Sequence, residues 1–566
     1  MLVAVLVAVG LAGWLAVRAG QVRGALLEAR AALSVDASGV LEDPDRLSAA
    51  RESASASVAR ARSAVDDPVW RLAAAVPVAG RSFALGRDAT RTAGLVVDGV
   101  LPPLLAAAAQ VQGRPLLSGG RADLDLLSGV AAEVDRAAGP AQQARRTAVG
   151  LPTRLLPAGL GRTATDLRAQ AVRLADAVDT AQRALAVLPA ALGSDGPRRY
   201  LMVVQNNAEA RGTGGLIGAY AVLEADGGRL RRTAVGSNVD LRTADAPVVD
   251  LGPEFAERYD ALAGRTLWSS AGLSPDWPSA ARVIGGLWQA QSGDRVDGVI
   301  GVDPLAMAAV LRVTGAVRLD GRTLTAAGVA DFVMRGQYAE GDPRAPERKQ
   351  RLAGLAGALY DRASAGGYSG PAMLRALAGA ASAGHLQAFS QDPAEQALLA
   401  PHRVAGALPA APGAYLQVVD NNAAGNKLDY YVRRQVGYSR PAPGRGRVRV
   451  ALTNTVVRPE GLSTYVTGRV GDPPPGAEPG QTRIQVEIYV GVGQQVRSVQ
   501  VDGREVSPRL GTERGHGVAS VLVEVAPSRP TVVTADVSDP GGELVYRQQP
   551  LPTPDALELA VPHRLA

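Results

Sequence analysis

A group of basic side chains in the second half of the chain has the composition of an anion-binding site. Arg344, Arg348 and Lys349 fall at the start of a predicted helix, and Arg335 ends the helix before it. Backbone N–H groups and the helix dipole favour an anion at a helix N-terminus, and an arginine can hold two phosphate oxygens at once. The pattern predicts a diphosphate site, and the alternative is a solvated, charged loop between two helices.

A polar segment between two apolar runs could form the opposite wall of such a site. The runs Tyr200–Val204 and Leu216–Leu223 enclose the sequence QNNAEARGTGG. Its candidate cleft-lining residues are Asn206, Asn207, Glu209, Gly214 and Gly215. We expect this segment to be a loop at a sheet edge, with Arg211 facing an anionic ligand. The alternative is structural, with amides that cap the strand ends and a Glu209–Arg211 ion pair.

The carboxylates best suited to a metal ion are Asp240, Asp245 and Asp276, although each could instead be a turn or N-cap residue. The chain has four histidines, and no two of them have the spacing of metal ligands. It has no cysteine, which excludes a disulfide framework, a thiolate metal site and a cysteine nucleophile. A zinc enzyme is therefore not expected.

The charge pattern argues against nucleic acid as a partner. Among the 60 basic residues of this 566-residue chain only Lys349 and Lys427 are lysines, which leaves 58 arginines. The net charge is +6, but the arginines alternate with Asp and Glu along the whole chain. A nucleic-acid-binding protein would need its basic residues clustered on one face.

The first residues have the composition of a membrane anchor. Met1–Val17 carries no charged side chain, and as a helix it would span about 26 Å. Trp14 suits a membrane interface. A cleaved signal peptide and a buried helix are the alternatives. The arginines that follow, beginning with Arg18, would place the body of the protein in the cytoplasm by the positive-inside rule.

The chain behind the anchor (residues 1–18) divides into three regions. Residues 19–195 are predicted to form an α-helical stalk or bundle, whose clearest element is a heptad seam over Thr163–Leu188 with Thr163 as N-cap and Pro189 as the stop. Residues 196–405 alternate strands with helices, which predicts a layered α/β domain. Asp303 followed by Pro304 marks the start of one of its helices.

Residues 414–566 lose helical periodicity and show short strands with period-two alternation. Six or more such strands in about 150 residues predict an all-β sandwich of immunoglobulin type. Near its start, Tyr415–Gly425 echoes Tyr200–Ala210, as YLQVVDNNAAG against YLMVVQNNAEA. The echo could reflect a strand and asparagine turn used twice, or coincidence.

The segment YLMVVQNNAEARGTGGLIGAY resembles the signature of a bacterial envelope family known only as a domain of unknown function, DUF 4012. Further segments of this resemblance are Gly236–Asp240, Leu273–Pro278, Asp297–Pro304 and Asp420–Lys427. The resemblance extends from about Asp67 to beyond Tyr438.

More distantly, the α/β region resembles the LytR-CpsA-Psr family. Those enzymes are anchored by one helix on the outer face of the membrane and transfer glycopolymers from a polyprenyl pyrophosphate to peptidoglycan. In them arginines hold the pyrophosphate and carboxylates hold magnesium. The resemblance implies pyrophosphate contacts at Arg242, Arg335, Arg344 and Arg348, in addition to the anion contact expected of Arg211 in the polar segment, and a magnesium contact at Asp240. The Ile-Pro-Arg core of the family's first motif is absent from Gly236–Arg242.

These resemblances imply a single-pass protein of the cell membrane whose bulk is extracytoplasmic, in conflict with the charge bias after the anchor. The expected function is to bind or organise envelope glycopolymers, or their polyprenyl-phosphate-linked precursors, with peptidoglycan as a further partner. One alternative is an active magnesium-dependent phosphotransferase that attaches glycopolymers to the cell wall. The other is a purely structural surface protein.

Overall fold

The computed structural model describes residues 2–33, 44–77, 80–152, 156, 158–339, 346–471, 474–527 and 529–565. The chain forms two compact units. The helical unit comprises Met1–Leu116, Asp123–Ala191 and Ser369–Pro371, and the mixed unit comprises Leu117–Ala122, Leu192–Tyr368 and Ala372–Ala566. Both the predicted α/β region and the predicted sandwich lie in the mixed unit.

The helical unit consists of long helices packed through small side chains. Its helices are α1 Leu2–Leu33, α2 Pro44–Val65, α3 Pro68–Ala74, α4 Arg81–Gly94, α5 Leu101–Val111, α6 Leu124–Val149 and α7 Ala158–Ala191, with a π-helical turn at Leu95–Val100. Ala29 of α1 is buried against Ala54 and Val58 of α2. The predicted caps of α7 differ: Thr163 lies inside the helix, bonded to the Gly159 carbonyl at 3.0 Å, and the helix continues past Pro189 to Ala191.

The predicted anchor lies within α1. Trp14 Nε1 donates to the Asp67 carboxylate at 3.2 Å, and Arg18 pairs with the same carboxylate at 3.3 Å. Among the described residues, the helical stretch Arg81–Val111 is long and apolar enough to cross a membrane, and a third of its most apolar window is buried. Core helices of soluble proteins and signal sequences share these properties.

The α/β part of the mixed unit is built on a seven-stranded mixed sheet. Its strands are β1 Leu117–Ser118, β2 Arg121–Ala122, β3 Arg198–Arg211, β4 Gly214–Asp226, β5 Arg229–Ser237, β6 Gly298–Val302 and β9 Leu386–Ser390, in the order β1-β2-β5-β4-β3-β6-β9. Only the β3–β6 pair in this described sheet is parallel. A separate ribbon pairs β7 Val317–Leu319 with β8 Arg322–Leu324.

Helices cover both faces of this sheet. They are α8 Pro253–Tyr259, α9 Trp277–Ser292, α10 Pro304–Thr314, α11 Val329–Met334, α12 Pro346–Ser364, α13 Gly370–Ser382 and α14 Pro393–Leu399. Because side chains alternate along a strand, Val203 faces the core with α9 while Val204 faces the core with α10 and α12. Asp303 caps α10 as predicted, accepting the N–H groups of Leu305 and Ala306.

The C-terminal part of the mixed unit is a β-sandwich. One sheet has the order β16-β17-β13-β10-β19-β21 and the other β15-β14-β18-β12-β11-β20. The strands are β10 Tyr415–Asn422, β11 Val432–Ala442, β12 Arg445–Asn454, β13 Thr482–Val492, β14 Val496–Val501, β15 Arg504–Val506, β16 Arg509–Glu513, β17 His516–Val525, β18 Pro530–Ser538, β19 Leu544–Arg547, β20 Ala556–Leu559 and β21 His563–Leu565, with a short helix α15 at Thr464–Thr467. Their inward residues, such as Ile488 and Val450, form one buried core.

Candidate functional site

The polar segment after Val204 is a bulged continuation of strand β3, where a loop was expected. Asn206 pairs with Leu216, and Ala210 pairs with Gly215, so residues 207–209 bulge out of the ladder. The pairing of Arg211 with Gly214 then leaves a two-residue turn. A bulge redirects side chains and leaves its residues without ladder partners. Other groups must therefore bond the polar atoms of this segment.

The glycines of the turn are required by close backbone approach. A Cβ atom on Gly215 would lie 2.3 Å from the carbonyl carbon and oxygen of Asn206. Gly214 has a φ of +138°, which a residue with a side chain rarely adopts. The glycine-rich sequence is thus explained by the geometry of the bulge.

Glu209 and Arg211 belong to a buried ion cluster. Arg211 Nη2 donates to Glu209 Oε1 at 3.0 Å, and Arg211 Nε donates to the Ser269 carbonyl at 2.8 Å. Lys427 donates to the other oxygen of Glu209. Burial acts to raise the pKa of Glu209, but the charges of Lys427 and Arg211 outweigh it and hold that pKa below its ordinary value. Arg211, expected to face a ligand, instead faces a carboxylate and backbone carbonyls.

The two segments that echo each other in sequence meet at this turn. Asn421 Oδ1 accepts the N–H of Gly212 at 2.9 Å, across the joint between the α/β sheet and the sandwich. Gln549 Nε2 bridges the carbonyls of Arg211 and Asp420 at 2.9 and 2.8 Å. The echo therefore marks a contact between the two halves of the mixed unit.

Asp429 is a buried carboxyl group beside the same bulge, and the sequence reading did not single it out. Its Oδ2 accepts the N–H of Ala210 at 2.7 Å and Nδ2 of Asn422 at 2.9 Å. Its Oδ1 is buried and has no hydrogen-bond partner among the described residues. Burial raises the pKa of Asp429 to about 7.

Asn206 opens onto a small cleft, which we call the tyrosine cleft. The cleft measures about 30 Å³ and is lined by Asn206, Leu216, Gly218, Asn238, Gln337, Tyr338, Arg348, Leu352, Lys427 and Tyr465. Asn206 Nδ2 donates to the Tyr338 hydroxyl at 2.7 Å. The cleft thus joins one residue of the hairpin to the N-terminal turn of α12.

Cations and aromatic rings pack against each other in the tyrosine cleft. The guanidinium carbon of Arg348 lies 5.1 Å from the Tyr338 ring centroid and 4.8 Å from that of Tyr465. Arg348 also donates to the Tyr465 hydroxyl at 3.1 Å. The two rings stack with centroids 5.6 Å apart, and Lys427 Nζ lies 5.7 Å from the Tyr465 ring. Such contacts hold the planar guanidinium in a defined orientation.

The other predicted site residues lie elsewhere. Arg335 is exposed and forms a bidentate ion pair with Asp331 at 2.8 and 2.9 Å. Arg242 is exposed after β5, and Asn207 is buried, donating to Asp303 and to the Pro550 carbonyl. Arg344 lies outside the described residues. Arg211, Arg335 and Arg348 were predicted to converge on one cleft. Of these three, Arg348 lines the tyrosine cleft, together with Asn206, and the other two do not.

The described residues do not fit a magnesium site. Asp240 is exposed, and its Oδ2 accepts the backbone N–H of Ser237 at 2.8 Å, as in a turn. Within the described ranges, no three His, Asp or Glu side chains converge in a way that could hold a cation.

Sequence reasoning missed three residues of the cleft, namely Tyr338, Lys427 and Tyr465. Lys427 carried a signal, because it is one of only two lysines in an arginine-rich chain and ends the segment Asp420–Lys427. A tyrosine in a glycine- and proline-rich C-terminal region carries no such signal before the fold is known.

Comparison with known proteins gives one result. No curated protein and no solved structure matches the chain. Residues 195–338, which run from just before β3 to Tyr338, match the family described as Protein of unknown function (DUF4012). This match confirms the resemblance to that family over the hairpin and the sheet side of the tyrosine cleft.

Proposed function

We propose that the chain is a membrane-anchored, extracytoplasmic protein of the cell envelope that binds phosphate-bearing glycopolymers or their polyprenyl-phosphate-linked precursors. The phosphate would bind at the tyrosine cleft. The observation that carries the proposal is the meeting of Asn206 and Arg348 in one cleft with Lys427, Tyr338 and Tyr465. Asn206 and Arg348 come from the two sequence segments that were expected to face each other across a site.

Two cationic side chains line the cleft. Arg348 donates to the Tyr465 hydroxyl at 3.1 Å, and Lys427 pairs with Glu209, which also pairs with Arg211. Because the pKa of Asp429 is about 7, this carboxyl group is only partly ionised at neutral pH. A phosphate group entering the cleft would meet the guanidinium of Arg348 and the ammonium of Lys427 in a region of low dielectric.

The aromatic rings and the size of the cleft suggest which part of a ligand enters it. A volume of about 30 Å³ admits one compact group and leaves the rest of a polymer outside. Arg348 can donate paired N–H groups to phosphate oxygens, and tyrosine hydroxyls can bond sugar hydroxyls at the mouth. The site therefore suits a terminal or bridging phosphate of a glycan or lipid carrier.

A purely structural role is the second candidate, and one observation favours it. Backbone N–H groups of the hairpin turn donate hydrogen bonds to side chains of the sandwich. Gly212 donates to Asn421, and Ala210 donates to Asp429. In that case the cations of the cleft would serve only to hold the two halves together. A phosphotransferase reaction has no comparable observation in its favour, since Glu209 is already committed to two cations.

The test is a binding measurement on the detergent-solubilised full chain. A short-chain polyprenyl pyrophosphate is titrated into wild type and Arg348→Gln by calorimetry, with and without magnesium. We expect Arg348→Gln to bind at least about tenfold more weakly, because a charge-assisted hydrogen bond to phosphate is lost.

The matched control is Arg335→Gln, which removes an arginine from the same sequence region but outside the cleft. It should bind like wild type. Equal binding by wild type, Arg348→Gln and Arg335→Gln would show that the ligand binds outside the tyrosine cleft. No binding by wild type would favour the structural role. Thermal unfolding of each variant checks that the fold is retained.

A further inference from the structure

A second cavity lies where the edge strand β9 of the α/β sheet meets the sandwich strands β10 and β19. It measures about 10 Å³ and is small enough to limit a bound group to a compact one. Its lining residues are Gly212, Pro275, Gly384, Gln387, Arg403, Gln417, Arg547, Gln548 and Pro550. None of them lines the tyrosine cleft, so this cavity stands apart from the proposed function.

Two arginines share this cavity without an acidic partner. Arg547 is 8% exposed and donates to the Ala407 carbonyl, and Arg403 donates twice to the Ser382 carbonyl, at 3.0 and 2.7 Å. In the part of the chain that the structure describes, neither arginine forms an ion pair with a carboxylate. A guanidinium group has five N–H donors, so these carbonyl bonds do not use all of them.

Burying two like charges together is unfavourable unless something compensates them. Arg547 is buried and Arg403 is half-buried, and the pKa of Arg403 is lowered to about 10, by burial first and by the charge of Arg547 second. Three other buried arginines of the mixed unit, Arg211, Arg258 and Arg434, each have a carboxylate partner within 3.1 Å. At this cavity Arg403 and Arg547 donate to carbonyl oxygens.

A third side chain of the cavity has an oxygen atom without a hydrogen-bond partner among the described atoms. Gln387 on β9 is 3% exposed, and its Oε1 has no hydrogen-bond partner among the described atoms. Gln417 faces the same cavity and accepts the Tyr415 hydroxyl at 2.8 Å. Rotation of the Gln387 carboxamide by half a turn presents its NH₂ group, in place of its oxygen, to an acceptor.

We propose that Arg403, Arg547 and Gln387 form a site for one compact monovalent anion, either a halide ion or a single carboxylate group. The anion would accept N–H groups from both guanidinium forks and from the Gln387 carboxamide. It would neutralise the like charges at the joint between the α/β sheet and the sandwich. The size of the cavity excludes a pyrophosphate.

The proposal is tested by anion-dependent stability of the detergent-solubilised full chain. Sodium acetate or sodium chloride is titrated at constant ionic strength against sodium HEPES, whose bulky sulfonate does not fit the cavity. We expect the unfolding midpoint of wild type to rise with at least one of the two anions and then to saturate. Acetate alone would identify a carboxylate, and chloride alone a halide.

Three variants localise the effect. In Arg403→Gln and Arg547→Gln the concentration for half-maximal stabilisation should rise at least about tenfold, because one charged donor is lost. Gln387→Leu should weaken the response without touching either arginine. Arg449→Gln, on the exposed face of β12, should respond like wild type.

The anion dependence within each variant is compared, so a general loss of stability does not imitate the result. Without a fitting anion, Arg403→Gln should unfold at a higher temperature than wild type, because the arginine repulsion is gone. Wild type should overtake it at saturating anion. The absence of a saturating rise in wild type, or the same rise in all variants, would overturn the proposal.

Discussion

The carboxyl group of Asp429 illustrates how burial decides the chemistry of a single residue. It lies beside the bulge of β3 with one oxygen bonded to Ala210 and Asn422 and the other without a partner among the described residues. Its pKa is raised from 3.8 to about 7 by burial. Between these two pH values the folded chain holds a proton that the unfolded chain has lost.

The predicted consequence is a stability that falls as pH rises from about 4 to about 7. Because the folded state binds more protons in this window, the contribution of Asp429 to the free energy of unfolding declines by at most about 4 kcal/mol and stays low above pH 7. Asp429→Asn mimics the protonated form and should remove this decline. Urea unfolding at pH 5 and pH 8 measures it.

The comparison is between wild type and variant at each pH, which cancels the titration of other groups. Asp429→Asn should gain stability relative to wild type at pH 8 and little at pH 5. A difference that is the same at both pH values would contradict the raised pKa. No sequence pattern could have predicted this shift, since Asp429 resembles any other aspartate until the sheet covers it.

At the scale of elements, the β3–β4 hairpin was predictable in part. The apolar runs correctly indicated two strands, because they reflect local backbone preferences. The bulge at residues 207–209 was not predictable, since its polar groups are satisfied by residues of the sandwich, such as Asp429, and by Asp303. What looked like a loop is a strand stabilised from outside.

The geometry of the bulge predicts how a substitution at Gly215 affects the stability of the chain. A methyl group there would collide with the backbone of Asn206 at 2.3 Å, and backbone cannot move aside as a flexible side chain can. Gly215→Ala should therefore destabilise the chain by at least about 2 kcal/mol in urea unfolding.

Gly227, in the turn between β4 and β5, is the matched control. Its φ is +52° and nothing lies within 4 Å of an added Cβ, so Gly227→Asn should change stability little, because asparagine tolerates this conformation. Equal losses in both variants would show that the close approach at Gly215 does not decide the effect.

At the scale of the whole molecule, the α/β sheet and the sandwich share one compact unit, and a buried ion network joins them. Arg258 of α8 is 5% exposed and donates to Glu487 of β13 at 2.7 Å. Glu513 of β16 accepts the hydroxyl of Tyr259 at 2.7 Å and that of Ser274 at 2.5 Å. Burial raises the pKa of Glu513. One arginine therefore faces two buried carboxyl groups.

Removal of Arg258 should destabilise the contact between the α/β sheet and the sandwich more than removal of a surface arginine does. Arg258→Met leaves Glu487 buried without its charge partner, which should cost about 3–5 kcal/mol. Hydrogen exchange should then show β3 and β10 opening independently, whereas in wild type they open together.

Arg447→Met is the control, because Arg447 pairs with Asp536 on the exposed face of the sandwich at 2.8 Å. It should cost less than about 1 kcal/mol and leave the two halves cooperative. If β3 and β10 already open separately in wild type, the ion network does not couple them.

The sequence by itself determined the α/β alternation, the helix caps at Asp303 and the period-two strands of the sandwich, because each depends on neighbours a few residues away. It also indicated Asn206 and Arg348 as residues of one cleft. Only the tertiary structure decided what Arg211 and Glu209 do, since Glu209 meets Lys427 from 218 positions further along the chain. The packing of the sandwich on the sheet determines which residues pair with the buried charges. A local sequence pattern does not contain information about that packing.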